Sequence, residues 1–385
     1  MNILVISTME GNSWGGSEEL WYSLVNYGCS KNDYFNIVLF DYTNKSDFPK
    51  LKTIQDLGYN INLIPPFQYQ QQNLWSRILN KILKRTPTIQ IVNRFQFLNN
   101  VNYDYILLNQ GYFSEVIKYA DLWYFIENTN IPIITLNQLV NEFDDLKESA
   151  RERLVFLFKK TNFNFFSAKR NLHVVERLLC LEISNSGLVK NPLNFVDTSL
   201  IDWPVNEILQ MAVVGRLDCL QKGIDILLYV LSTNKWKTRS FHLNIYGTGV
   251  DYLYLTNLVK FYHLELKVTF KGYSNDFRLI WKDNHVLVQP SIAEGLPLSL
   301  VGTMLLGRPA LVTDVGDCAT LINHKINGFV SRSINTLDLL ESLEQLWQDK
   351  NNLKQMGLVA RETVLEDYSQ NLGELFYNQI LNTLN

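Results

Sequence analysis

Two cations stand close together in the stretch "VVGRLDCLQKGIDILL": Arg216 follows one apolar run, and Lys222 precedes Gly223 and a second. Arginine presents a fork of donors, lysine a mobile point charge, and a glycine opening a helix leaves backbone N–H groups free for an anion. Together they suit a diphosphate. The same pair reads equally as solvated surface charge, since mixed charge is ordinary on a protein surface. A second candidate lies in "SIAEGLPLSLVGTMLLGRP", residues 291–309. Gly295 lets the backbone turn, and Pro297 suits a first helical turn because its missing N–H costs nothing there. The amides near Leu296 and Leu298 then offer donors and a positive dipole end to an anion. Glu294 repels phosphate, so it makes chemical sense as a ligand of hydroxyl groups beyond the phosphates. As plain structure it is an acid that favours a helix start.

Positioning such groups calls for strands whose ends converge. In the first half, apolar runs at 3–7, 35–41, 59–65, 103–109, 131–137 and 163–168 read as buried strands. Helical patterns lie between most of them. The first helix, "SEELWYSLVNYG", is read with Ser17 as its N-cap, Glu18 and Glu19 in the positive first turn, and Gly28 at its end. The second half repeats the scheme, with strands at 210–215, 241–247, 267–272, 285–291, 309–314 and 328–333. Such alternation predicts α/β domains with parallel strands and crossover helices. Ligands of open α/β sheets sit at the carboxyl ends of the strands, where several of these runs end in glycine or serine. A boundary is expected within 190–207, where Pro192 and Pro204 interrupt the pattern. The organisation expected is a first domain over 1–195, a second over 205–365, and a final helix over 366–385 crossing back to the first.

Bulk properties agree with two globular domains. The chain has 385 residues, and single cores rarely exceed about 250–300. A net charge of −3 gives no support to a nucleic-acid partner. The opening "MNILVIS" lacks the charged flank and long apolar core of a signal peptide, and no apolar run approaches the roughly 20 residues of a bilayer span. A cytoplasmic protein is expected. Cys29, Cys180, Cys219 and Cys318 are far apart without metal-ligand spacing and are read as buried free thiols.

At this point the residues resemble a known family. "GRLD…QKGIDILL", "PSIAEGLPLSLVGTMLLGRPALVTDVGD" and "NGFV" look like the donor domain of glycosyltransferase family 4, and "WGGSEELW" looks like its glycine-rich acceptor-domain loop. The stretch 165–195 resembles the end of the first domain in one bacterial branch. One "EG" followed by proline is a weak signal, but four motifs in order are specific, and the likeness covers most of the chain. It implies two Rossmann-like domains facing each other across a cleft (the GT-B architecture), a nucleotide-diphosphate sugar as co-substrate, retention of anomeric configuration, and neither cofactor nor metal. Arg216 and Lys222 match the pair that grips the diphosphate and stabilises the departing nucleotide. Glu294 matches the acid that binds the transferred sugar, and Gly295, Leu296, Pro297 and Leu298 match the backbone around that sugar and its phosphate. Gly215 lies at the strand end beside the cations. Gly15 and Gly16 match the first-domain loop, and Gly272 and Tyr273 lie where backbone meets the nucleobase.

Three departures stand out. Relatives carry a second glutamate eight residues after the first, holding the ribose hydroxyls; here that residue is Gly302. Many have a histidine after the fifth strand, whereas this chain has Gln138, which can orient an acceptor hydroxyl but cannot act as a general base. Asp317 and Thr320 replace a common glycine and glutamate. With one clear acid and no convincing nucleophile, front-face departure is the mechanism expected: the leaving phosphate takes the acceptor's proton, and the protein supplies cations and positioning. The acceptor is expected to be a glycan or a lipid-linked saccharide of bacterial surface polysaccharide synthesis. The segment 74–95 carries Trp75, Ile78, Leu79, Ile82 and Leu83 on one helical face and Arg77, Lys81, Lys84 and Arg85 on the other. It reads first as a helix packed on the sheet and second as a peripheral membrane contact. Two further readings are a non-catalytic or partner-dependent sugar-nucleotide-binding relative and a sugar-nucleotide epimerase of the same architecture.

Overall fold

The structure, a computed structural model, describes residues 1–9, 14–40, 48–65, 93–98, 101–195, 197–368 and 370–384. Most of the basic amphipathic segment 74–95 lies outside the described residues, of which only 93–95 belong to it.

The first sheet comprises β1 (Asn2–Ser7), β2 (Tyr34–Phe40), β3 (Asn60–Ile64), β4 (Tyr105–Tyr112), β5 (Ile133–Leu139), β6 (Phe163–Phe166) and β7 (Ser186–Leu188). Its order is β3-β2-β1-β4-β5-β6-β7, with every pair parallel. The second sheet comprises β8 (Leu209–Val214), β9 (Phe241–Tyr246), β10 (Val268–Gly272), β11 (Val286–Gln289), β12 (Ala310–Thr313) and β13 (Gly328–Ser331). It is also parallel, in the order β10-β9-β8-β11-β12-β13.

Helices cover both faces of each sheet, and this explains the unbroken apolar runs. In β1, Leu4 and Ile6 enter one core while Ile3 and Val5 enter the core on the opposite face. In the second sheet Met211 and Val213 go one way and Ala212 the other. Each sheet reverses its strand order beside its first strand, with β1 between β2 and β4 and β8 between β9 and β11. Crevices open at the carboxyl ends of such switch points.

The last helix, Leu372–Leu384, lies against the helix Gly16–Cys29 of the first domain. Phe376 and Ile380 enter that domain's core, Tyr377 Oη donates to Asp33 at 2.7 Å, and Tyr27 Oη donates to Glu374 at 2.8 Å. The close approach needs Gly373, because a Cβ there would fall 2.6 Å from the Ser23 carbonyl oxygen.

The structure corrects three local readings. The first helix begins at Gly16, so its N-cap is Gly15 and not Ser17. Glu18, three residues past the cap, reaches back to accept the Gly15 N–H at 3.0 Å, the glutamate half of a capping box. Of the cysteines only Cys219 and Cys318 are buried; Cys29 is half-buried and Cys180 is exposed, because it sits in a left-handed cap just past the helix Lys169–Leu179. Pro297 is the N-cap of the helix Leu298–Leu305, one position ahead of its first turn. The short edge strand β7 was not read from sequence, since three residues give no period to detect.

Candidate active site

β8 ends at Val214, and the chain turns through Gly215 to Arg216. A four-residue helix, Cys219–Lys222, follows, capped by the Asp218 carboxylate, and Gly223 then takes a left-handed φ of 58° before the next helix. No side chain fits at 223, where a Cβ would meet the Pro290 carbonyl oxygen at 2.3 Å. This packing brings the loop after β8 against the loop after β11. The Gln221 carbonyl accepts the Ile292 N–H at 2.8 Å, and so Lys222 faces Glu294.

Lys222 Nζ and Glu294 Oε1 are 2.5 Å apart, with the carboxylate nearly buried. Ser291 Oγ donates to the same oxygen at 2.6 Å and Gln289 Nε2 at 3.4 Å. Among the described residues no donor reaches Oε2, so this oxygen remains free to accept from a ligand hydroxyl. The aliphatic part of Lys222 runs beside Gly215, with Cε 3.5 Å from the position of a Cβ there. Arg216 is exposed, and its Nη2 donates to Gln221 Oε1 at 2.6 Å. The two cations therefore sit on one loop without contacting each other: Lys222 is tied to Glu294, and Arg216 is steered by a neutral amide that a stronger anion would displace.

The helix Leu298–Leu305 begins just past Glu294. The backbone N–H groups of Gly295, Leu296 and Leu298 have no acceptor among the described residues. They form an anion-seeking end within reach of the lysine. Gly16 approaches this end from the first domain, because a Cβ on it would lie 2.7 Å from Leu298 Cδ1. Two helix starts thus face each other across the cleft, and their positive ends add.

The domains also touch at Gly295. A Cβ there would lie 2.3 Å from the Gln138 carbonyl oxygen and 2.4 Å from Ser167 Oγ. The Gln138 side chain itself is held at both ends: its Oε1 accepts from Asn191 Nδ2 at 2.7 Å, and its Nε2 donates to Asn109 Oδ1 at 3.4 Å. Gly15 lies one residue outside the facing helix start. Gly272, with φ of 71°, and the exposed Tyr273 sit at the carboxyl end of β10, where the Gly272 carbonyl accepts the Gly247 N–H at 2.8 Å. Gly302 is covered by Phe195 and Phe277, whose ring atoms would stand 3.0 and 2.8 Å from a Cβ.

Four participants were not singled out from sequence. Gln289, Ser291 and Gln221 orient the acid and the arginine. Arg170 of the first domain pairs with Asp314 at 2.6 Å and with Glu142. Single polar residues at strand ends carry no period, and only the fold shows what they face. Cys318, beside Gln289 and Glu294, is held as a thiol: burial above all, and then the Glu294 charge, push its pKa well up.

Two parallel α/β domains meeting at the carboxyl ends of their strands, with paired cations and a helix start in the crevice, define the GT-B architecture. Over the full chain the fold is similar to that of Anabaena Alr3699/HepE in complex with UDP, with a TM-score of 0.67 at 14% identity, covering 100% of this chain and 99% of that one. Residues 206–363 match the family described as "Glycosyl transferases group 1". A Haemophilus influenzae protein described as an uncharacterized glycosyltransferase is 30% identical over 148 residues, 38% of this chain and 42% of its own length. The poly(ribitol-phosphate) alpha-N-acetylglucosaminyltransferase of Staphylococcus aureus is 28% identical over 160 residues, 41% of this chain and 32% of its own length. The chain spans less than half the length of these curated relatives. Among the described residues no helix is long and apolar enough to cross a membrane.

Proposed function

We propose that the protein transfers a sugar from a nucleotide-diphosphate sugar to a hydroxyl of a glycan or lipid-linked saccharide, with retention and without a metal. The observation that carries this reading is the meeting of Lys222, Glu294 and the free amides of 295, 296 and 298 at the switch point of the second sheet, opposite Gly16. Lys222 and those amides take the diphosphate, with Arg216 swinging from Gln221 onto it. Glu294 keeps one carboxylate oxygen for a sugar hydroxyl. In the step itself, the bond from the anomeric carbon to the phosphate oxygen breaks as the acceptor oxygen bonds to the same face. The acceptor's proton passes to the departing phosphate oxygen. The cations stabilise the charge that grows there, which is the main contribution a preorganised site can make. Two features support the choice of donor and acceptor. UDP is bound in the similar Anabaena structure, and the staphylococcal relative is named for transfer to a polymer.

The test is to incubate the protein with UDP and GDP sugars, lipid-linked and free saccharide acceptors, and EDTA, and to read the anomeric configuration of the product by NMR. An α-sugar donor giving an α-linked product in EDTA is expected. An inverted product would overturn front-face retention, and loss of turnover restored by a divalent ion would overturn metal independence. Binding without turnover across the panel would assign a non-catalytic role, and conversion of the free donor alone an epimerase.

A further inference from the structure

Two adjacent glycines, Gly15 and Gly16, carry the first domain's approach to the helix start at Leu298, and neither has a side chain to hold it in place. Glycine gives up more conformational freedom than any other residue when it is fixed, so this loop needs an outside tie. The residue just before the glycines supplies it. The indole of Trp14 stacks on Phe48, with centroids 4.8 Å apart and planes at 5°, and it also meets Trp21 at 5.4 Å and Tyr22 at 5.6 Å. Its Nε1–H donates to Glu19 Oε1 at 2.8 Å. Glu19 is buried in the first turn of the helix Gly16–Cys29. Lys50 Nζ, from the helix Pro49–Asp56, donates to Glu19 Oε1 at 2.6 Å and to Oε2 at 2.5 Å. The same ammonium lies 5.6 Å from the Trp14 ring centroid and 5.0 Å from that of Tyr22.

We propose that Trp14, Glu19 and Lys50 form a clamp that sets the position of Gly15 and Gly16, and through it the rate of transfer, without touching the substrate. They are positioning residues. Stacking on Phe48 fixes the height and tilt of the indole but would let it slide in its own plane. The directional bond from Nε1 to Glu19 stops that slide. A buried carboxylate needs a counter-ion, and Lys50 provides it while its charge rests against the electron-rich faces of Trp14 and Tyr22. The loop, the first helix and the second helix are thus joined at one point. The tolerance at the cleft is small, because a Cβ on Gly16 would already lie 2.7 Å from Leu298 Cδ1. A shift of the loop either drives it into that helix start or opens a gap where the diphosphate should be enclosed. This assignment rests on the nucleotide-sugar reading above, which places the diphosphate between the two facing helix starts.

Amide hydrogen exchange on the full chain, with UDP and GDP as probes, tests it together with steady-state turnover of the sugar donor. In wild type a nucleotide is expected to slow exchange in residues 294–299, which take the diphosphate, and in residues 14–20, which face them. Trp14→Ala should keep the first protection and lose the second. Its kcat should fall about 100-fold with the donor KM within about twofold, on the scale of a 1 Å misplacement of reacting groups. Trp14→Phe keeps the stack but lacks the Nε1–H, and Lys50→Met keeps the length but lacks the charge; each is expected to lower kcat about tenfold, the scale of one hydrogen bond to a charged group. Lys50→Arg, whose fork matches both carboxylate oxygens, should restore it. If the nucleotide protects 14–20 equally in wild type and Trp14→Ala, or protects only 294–299 in wild type, the clamp falls and the diphosphate site stands. A lowered Tm with unchanged kcat in Trp14→Phe and Lys50→Met would likewise reduce the cluster to packing. If wild type shows protection in neither segment, the nucleotide-sugar reading falls and takes this assignment with it. If Trp14→Ala fails to fold, Trp14→Phe, Lys50→Met and the arginine rescue decide.

Discussion

The carboxylate of Asp317, on the second domain, accepts the backbone N–H of Lys169, on the first, at 2.8 Å, and that of Arg170 at 3.2 Å. Its own N–H donates to the Gly295 carbonyl at 3.0 Å. One residue thus caps a helix across the domain boundary and braces the loop that follows Glu294. The cap is worth about 1 kcal/mol by analogy with helix caps in general. Asp317→Ala is expected to lower stability by about that much in urea denaturation, with a larger radius of gyration in solution scattering. Asp317→Asn retains the acceptor and should restore both. An unchanged radius for the alanine variant would show that the domains are held by other contacts.

The Lys222–Glu294 pair is largely buried, with side-chain exposures of 14% and 6%. Removing one partner of such a pair costs roughly 3–5 kcal/mol, because the remaining charge is stranded. Lys222→Ala is therefore expected to lower Tm as well as to abolish turnover. Adding Glu294→Gln neutralises the stranded carboxylate and should recover most of the Tm while leaving turnover absent. Thermal melts and single-turnover assays on the two single variants and the double variant separate the structural from the chemical role. Full turnover in Lys222→Ala would remove the lysine from the chemistry.

Gly295 has no room for a side chain, since the Gln138 carbonyl oxygen would stand 2.3 Å from its Cβ. A backbone carbonyl cannot rotate away as a side chain would. Gly295→Ala is expected to hold the domains apart and to reduce kcat/KM by about 100-fold, on the scale of a 1 Å misplacement of reacting groups. Substrate-free stability should change by less than in Lys222→Ala. Normal kcat/KM would show that the cleft opens at this point during catalysis.

Acid should loosen the second domain through its histidines. His285 is buried, its Nδ1 accepts the Gln210 N–H at 3.0 Å, and desolvation lowers its pKa below the ordinary 6.5. Burial, with Lys271 and Lys267 nearby, lowers that of His242 as well. A lowered folded pKa means that the unfolded chain binds more protons between the two values, so stability rises with pH there. It is complete above about pH 6.5 and is lost as pH falls through the folded values. Tm should fall between roughly pH 7 and pH 5, and less steeply in His285→Asn, whose side-chain oxygen still accepts from Gln210. An unaltered slope in that variant would assign the acid sensitivity elsewhere.

Thiol reactivity should follow exposure and pKa. Burial first, then the Asp225 and Asp251 charges, raise the Cys219 thiol to about 12, and Cys318 is shielded more completely. At pH 8 in native buffer, iodoacetamide is expected to label Cys180 first and to leave Cys219 and Cys318 untouched until the protein unfolds. Early labelling of Cys318, read by peptide mass, would mean that the floor beneath Glu294 opens in solution.

Much of this molecule was legible as letters. The runs "ILVIS" and "VLVQ" are apolar on both faces, and only a sheet covered on both sides buries such runs, so the doubled α/β pattern was set by local composition. Arg216, Lys222 and Glu294 were visible because glycine and proline beside them mark strand ends and helix starts. What a strand end faces is a different matter, because it depends on packing between segments far apart in sequence. The capture of Lys222 by Glu294, the cap that Asp317 places on a helix of the other domain, and the ring pair standing over Gly302 join residues from 25 to 148 positions apart. No periodicity records such contacts; close packing of the folded chain alone decides them.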